Sequence, residues 1–193
     1  MSKIQSYFSL ARHCVLCGAR SHTEFHLCEA CYRDIEPKNS VCRCCALPIR
    51  ALDNESRLCG ACIQQMPPYK TVYRFADYAP PLDRIIQQLK FNQKLHYARL
   101  LGSLMATDIR ARGLDLPDAL LPVPLHSQRL KQRGFNQAVE IARILAKSLG
   151  LPLDIHSCNR IRPTPEQSGL AAKQRKTNIK GAFQVQGAIK GKH

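Results

Sequence analysis

Cys14-Val15-Leu16-Cys17, Cys28-Glu29-Ala30-Cys31, Cys42-Arg43-Cys44-Cys45 and Cys59-Gly60-Ala61-Cys62 are four C-x-x-C knuckles that take up eight of the chain's ten cysteines. A single knuckle is ambiguous between a redox motif and chance. Four in series describe two tetrahedral thiolate sites. Each knuckle offers a pair of sulfurs from a tight turn, and a pair of knuckles completes the closed shell that Zn²⁺ prefers in structural sites. Sequential pairing puts Cys14, Cys17, Cys28 and Cys31 on one ion and Cys42, Cys45, Cys59 and Cys62 on the other. An interleaved pairing satisfies the same spacings. Cys44 is a spare thiol able to compete for the second site, and Cys158 stands apart as a small hydrophobe. An all-sulfur shell leaves no open position for water or substrate, so both sites read as structural.

A disulfide framework is the other use of so many cysteines, and it needs an oxidising compartment. Met1 to His13 has scattered apolar residues and no cleavage site after them, so it does not read as a secretory leader. No run approaches the roughly 20 apolar residues of a membrane span. The expectation is a soluble, cytoplasmic, zinc-binding protein. A thiol-redox protein is a further reading, weakened because the knuckles read as lying neither at a helix start nor in a strand–helix–strand unit.

Composition shifts near Tyr69, which divides the chain into a double zinc module over residues 1–68 and a second domain over 69–193. From Thr71 to His193, 20 basic residues against 8 acidic ones leave +12 of the chain's +15. Charge so concentrated implies a polyanionic partner, either nucleic acid or a phosphorylated small molecule. A solvated basic face is the competing reading. With six Phe, six Tyr and no Trp, the chain lacks the aromatics of an extended base-stacking platform.

The second domain reads as α/β. Lys70–Tyr78 alternates apolar and polar β-formers and reads as a strand or half a hairpin ended by Pro80 and Pro81. Leu82, Ile85, Ile86 and Leu89 recur at helical spacing, and Leu95 to Arg112 forms a second amphipathic helix closed by Gly113. Ala119–Leu125 is a continuous apolar run, as expected of a strand buried on both faces. A helix from Asn136 to Leu149 follows, stopped by Gly150, and Leu151–Ser157 reads as the next strand. Strand, basic loop, helix, strand is the order of a parallel βαβ unit.

Two basic loops are candidate anion sites. The first, from His126 to Phe135, leaves a buried strand and opens a helix, where ligands of α/β sheets bind. Arg129, Lys131 and Arg133 supply charge, Gly134 permits close backbone approach, Asn136 suits an N-cap, and Gln137 begins the helix. Arg129 and Arg133, four residues apart, clamp one phosphate if the loop is helical. The second, Asn159–Gly181, brings Arg160, Arg162, Arg175 and Lys176 to a connection long enough to be functional or structureless.

On these residues the chain resembles the ComF/GntX family, with the GntX-like branch the nearer. These are bacterial proteins related to amidophosphoribosyltransferases and linked to natural competence and use of external DNA. The resemblance rests on the knuckles followed by Leu47-Pro48, then Asp77-Tyr78-Ala79-Pro80-Pro81-Leu82 and Leu89-Lys90-Phe91. It continues through Pro122-Val123-Pro124-Leu125, Arg129, Arg133-Gly134-Phe135-Asn136-Gln137, Arg160, Arg162, Thr164, Gln167, Arg175, Asn178 and Ala182-Phe183.

The resemblance implies a double zinc ribbon followed by a type I phosphoribosyltransferase-like domain with a Rossmann-like parallel sheet. There Arg129, Lys131, Arg133, Gly134, Asn136 and Gln137 would contact pyrophosphate. Arg160, Arg162, Thr164, Gln167, Arg175 and Asn178 would belong to the flexible loop that closes over the site. Full-length members then carry an acid pair and a Thr-Thr-Gly-type turn that hold phosphoribosyl pyrophosphate (PRPP) with Mg²⁺. This sequence has no adjacent pair of acids, and it ends at Gly191-Lys192-His193, where that strand would begin. Without those groups nothing steadies a ribose developing charge at C1. The expectation is therefore an incomplete domain, a fragment or truncated product, inactive alone. Its implied role is DNA uptake and utilisation, with single-stranded DNA, PRPP or pyrophosphate, and competence-machinery proteins as partners. The alternative is the N-terminal part of an active PRPP-dependent enzyme.

Overall fold

The computed structural model describes residues 12–23, 25–36, 40–50 and 57–187. The stretch up to Ala11, which was read for a secretory leader, and Gly191-Lys192-His193 lie outside the described residues. Contacts divide the chain after Arg84 into two compact units.

The first unit is built twice from one plan. In its first half, β1 (Arg12–His13) and β2 (Arg20–Ser21) pair antiparallel around a knuckle. The Gly18 N–H donates to the Cys14 carbonyl at 2.9 Å, and the Cys14 N–H to the Ala19 carbonyl at 2.7 Å. Helix α1 (Glu29–Ile35) then starts with Cys28 as its N-cap residue. The second half repeats this. The Ala46 N–H reaches the Cys42 carbonyl at 2.9 Å and the Cys42 N–H the Leu47 carbonyl at 2.8 Å. An antiparallel bridge joins Val41 to Pro48, and α2 (Gly60–Gln64) starts at Cys59. A matching cross-link closes each half: Val15 N–H to the His26 carbonyl at 2.9 Å, and Arg43 N–H to the Arg57 carbonyl at 3.0 Å.

One position of the repeat is filled by different residues. Gly18 sits at φ 77° and its counterpart Ala46 at φ 57°, both in the left-handed region. That conformation costs a residue with a Cβ roughly 1–2 kcal/mol, and glycine returns about 0.4–1 kcal/mol through its freer unfolded chain. Ala46→Gly is therefore expected to stabilise the unit by up to about 1 kcal/mol. A higher melting temperature of the zinc-loaded protein would register the gain; a lower one would show that the Ala46 methyl matters more for packing.

The expected strand over Lys70–Tyr78 is absent: the segment is extended without a ladder partner among the described residues. It is fastened to the second knuckle, with the Val72 N–H on the Cys44 carbonyl at 2.8 Å and the Thr71 hydroxyl on the Arg43 carbonyl at 2.7 Å. Residues that composition assigns to the second domain thus pack on the ribbon, because an extended chain finds partners there.

Helices α3 (Leu82–Phe91), α4 (His96–Ala111), α5 (Ser127–Arg133) and α6 (Gln137–Leu149) follow the predicted periodicities, except that α5 occupies what reads as a loop. Ile85, Leu89, Tyr97, Leu100, Leu101, Leu104, Ala142, Leu145 and Ala146 form the buried core. Helices α4 and α6 pack closely, with Gly102 facing Ile141 and Ile144. Gly150, at φ 71°, ends α6 by donating to the Ala146 carbonyl, as the sequence predicts.

The described sheets are two antiparallel pairs, β1–β2 and the ladder of β3 (Cys158–Arg160) with β4 (Phe183–Val185), rather than a broad parallel sheet. Parallel pairing is confined to one bridge, Leu120 to Leu153. The Leu120 N–H donates to the Pro152 carbonyl and the Asp154 N–H to the Leu120 carbonyl, both at 2.9 Å. These extended segments flank α6, so the βαβ order is present in outline. The run Ala119–Leu125 is not buried on both faces: Val123 is 62% exposed and Leu121 38%. With its one bridge at Leu120, the run is only partly covered, and Leu120, Pro122 and Leu125 are half-buried. Asp154 fixes the turn after the bridge. The Ser157 hydroxyl, then the Ser157 and His156 amides, hold its carboxyl down at about 2.

Candidate functional site

The four sulfurs of Cys14, Cys17, Cys28 and Cys31 lie within 4.8 Å of one another, as do those of Cys42, Cys45, Cys59 and Cys62. Pairing is therefore sequential. A tetrahedron with metal–sulfur bonds of about 2.3 Å has sulfurs about 3.8 Å apart. The Cys17–Cys28 and Cys45–Cys59 sulfurs, each pair at 3.6 Å, match that edge. Both clusters fit zinc, and the chemistry it would supply is cross-linking of two turns. Cys44 is buried behind the second cluster and is not one of its four sulfurs. Cys158 is half-buried on β3.

Backbone amides prepare the sulfurs for a cation. Burial opposes ionisation of Cys14, yet the amides of Cys28, Cys17 and Leu16 outweigh it and bring the thiol down to about 6. Cys42 repeats this, burial being overcome by the amides of Cys45, Cys59 and Cys44, again to about 6. One of those amides is visible as the Cys59 N–H on the Cys42 sulfur at 3.3 Å. Cys31 and Cys62 are pushed up, by burial first and then by their neighbouring thiols. Two knuckles do stand at helix starts, through Cys28 and Cys59, contrary to the sequence reading. What sets these cysteines apart from a redox pair is the convergence of four sulfurs.

The first basic loop is the helix α5, so Arg129 and Arg133 share one face, a turn apart. Burial, then the nearby Arg129 charge, pulls the Arg133 guanidinium below its usual range. Arg133 lies over the Phe91 ring at 5.6 Å and donates to Gln137 Oε1 at 3.2 Å. Gln137 is buried, and its Nε2 has no hydrogen-bond partner among the described residues. Asn136 is the N-cap of α6: its side chain accepts from the Ala138 N–H at 3.0 Å and donates to the Val123 carbonyl at 3.0 Å. Gly134, at φ 79°, closes α5 by donating its N–H to the Leu130 carbonyl at 2.8 Å, so its amide is already engaged. Lys131 is exposed on α5.

The second basic loop is folded, not structureless. It runs from β3 through a 3-10 turn (Gln167–Gly169) and α7 (Ala172–Asn178) to β4. Arg160 donates to the Thr164 hydroxyl and lies over the Phe183 ring at 5.4 Å. Arg162 donates to the Asn178 and Lys180 carbonyls, each at 2.8 Å, and so caps α7. Arg175 reaches the Leu170 carbonyl at 2.8 Å, and the Asn178 amide the Pro165 carbonyl at 3.2 Å. Gln167 opens the 3-10 turn; the Lys176 side chain lies outside what the structure describes.

The loops meet at an ion pair the sequence did not flag, Arg129 with Glu166. A signal was present: Glu166 is the sole acid between Asn159 and Gly181. No helix among the described residues is long and apolar enough to cross a membrane.

A double zinc ribbon domain is recognised over residues 8–63. Over 187 residues the chain is 36% identical to DNA utilization protein YhgH of Salmonella typhimurium, covering 93% of this chain and 80% of that protein. The YhgH of Escherichia coli strain K12 is 36% identical over 171 residues, with 86% of this chain and 74% of that protein covered. Competence protein F of Haemophilus influenzae is 33% identical over 123 residues, 62% of this chain and 54% of that protein. No solved structure matches the chain.

Proposed function

The chain belongs to the ComF family, and from that membership we propose that it serves DNA utilisation by binding polyanions through its second unit while two zinc ions hold its first unit folded. The observation that carries the reading is Arg129 and Arg133 on one face of α5, immediately before the N-cap of α6. Guanidiniums presented in this way suit phosphate oxygens, and the first turn of α6 adds oriented amides. The +12 charge from Thr71 onward supports the same class of partner. A cytoplasmic, reduced setting suits ten cysteines of which none is in a disulfide.

A second reading is a phosphoribosyltransferase-like domain that takes pyrophosphate or PRPP with Mg²⁺ at the same place. It is favoured by the parallel bridge on either side of α6, since ligands of parallel sheets bind beyond strand ends at helix starts. In that reading Lys131, Asn136 and Gln137 join the arginines on pyrophosphate, and the segment with Thr164, Gln167 and Asn178 borders the site.

Salt and metal dependence separate the readings. Single-stranded DNA affinity should fall with a log–log salt slope of about −0.7 per phosphate contact. The Arg129→Ala/Arg133→Ala double variant should bind more weakly, with that slope shallower by about 1.4. Affinity for pyrophosphate that requires Mg²⁺, with little for DNA at physiological salt, would favour the second reading. Unchanged binding of both ligands by the double variant would remove α5 from either.

A further inference from the structure

Glu166 is the only acid in a segment of otherwise basic charge, and it stands on Arg129, whose helix carries the anion site. Its position is held from both sides. Arg160 donates to the Thr164 hydroxyl two residues before it, and the Asn178 amide donates to the Pro165 carbonyl one residue before it. Pro163 and Pro165 stiffen the same stretch, and Glu166 is itself the N-cap residue of the 3-10 turn. Meanwhile Arg160, Arg162 and Arg175 are each engaged by groups of their own segment. The ion pair this segment makes with α5 is thus made by its carboxylate.

We propose that Glu166 is a built-in counter-anion, a latch that occupies Arg129 until a phosphate displaces it. The inference rests on the anion-site reading of α5 and adds regulation to it. A carboxylate tethered on a folded segment faces Arg129 at high effective concentration, so a weak or singly charged anion competes poorly. A phosphate with two charges offers more oxygens to both Arg129 and Arg133 and wins the exchange.

The test is calorimetric titration of the full zinc-loaded chain with inorganic pyrophosphate. Glu166→Gln is expected to bind about twofold to fivefold tighter than the parent, the span of an exposed ion pair. Asp108→Asn, which removes an equal charge from the pair with Arg112 on α4, should leave affinity unchanged. Arg129→Ala should weaken binding, and adding Glu166→Gln to it should change nothing further. Equal affinity of Glu166→Gln and parent, with Arg129→Ala still weakened, overturns the latch and leaves the anion site standing. A gain from Glu166→Gln that survives in the Arg129→Ala background also overturns it, as a general charge effect. Absence of pyrophosphate binding in every variant overturns the latch and, with it, the pyrophosphate reading of the site.

Discussion

A chain carrying Cys14→Ser together with Cys31→Ser is expected to hold one zinc ion, whereas Cys14→Ser together with Cys42→Ser is expected to hold none. The four sulfurs of each cluster come from consecutive knuckles, so the first pair of changes damages one site and the second damages both. Interleaved clusters would make the first combination empty both sites. Native mass spectrometry reads the count directly. The effect on folding should be large, because zinc binding in small ribbons supplies apparent free energies of about 10–16 kcal/mol. Whole domains are stable by only about 5–15 kcal/mol. Among its described residues the first unit has little else to replace it: Leu27, Ile35 and the cysteines themselves are most of what these residues bury. Chelation should therefore erase amide protection around α1 and α2 while the helices of the second unit keep theirs. Retained protection in α1 and α2 after complete metal removal would show that packing alone folds the unit.

The zinc ligands were legible because metal geometry leaves few options. Two-residue spacing and sulfur chemistry identified all eight ligands, and only the pairing needed coordinates. The internal repeat was hidden, since beyond the cysteines its halves share backbone bonds rather than side chains, as with Gly18 and Ala46 or His26 and Arg57. Helices α4 and α6 were readable from their apolar periodicity, and Asn136 and Gly150 from cap chemistry.

Strands were another matter. Lys70–Tyr78 has the alternation of a strand but makes single bonds to the second knuckle rather than a ladder among the described residues, and Ala119–Leu125 keeps one bridge and exposes Val123. A strand is a property of two segments, and sequence periodicity reports only one. For the same reason Glu166 was missed: its meaning comes from Arg129, 37 positions away. The bonds that its arginines make were equally hidden, because charge in a sequence does not reveal which carbonyls a guanidinium will cap. Arg162 on the Asn178 and Lys180 carbonyls shows this directly.

Replacing Gly102 is expected to destabilise the second unit, against the direction that helix propensity predicts. Gly102 lies inside α4, where alanine would ordinarily gain about 0.5–1 kcal/mol. A Cβ at this position, however, would meet Ile144 Cβ at 2.7 Å and the Ile141 carbonyl oxygen at 2.9 Å. Overpacking of this kind costs typically 1–3 kcal/mol, so the steric loss exceeds the propensity gain. For Gly102→Ala the net is a loss of about 1–2 kcal/mol, and Gly102→Val, bulkier and a poorer helix former, should lose more. Trimming the neighbour does not restore the fit. Ile144→Ala keeps the Cβ that clashes, and the Ile141 contact is with backbone, which no side-chain substitution removes. The Gly102→Ala/Ile144→Ala double variant should therefore be less stable than either single one. Denaturant unfolding followed by helical circular dichroism measures all three. A Gly102→Ala protein as stable as the parent would mean that α4 and α6 can move apart by a few tenths of an ångström at little cost, and that the closeness of this crossing is not what holds the unit together.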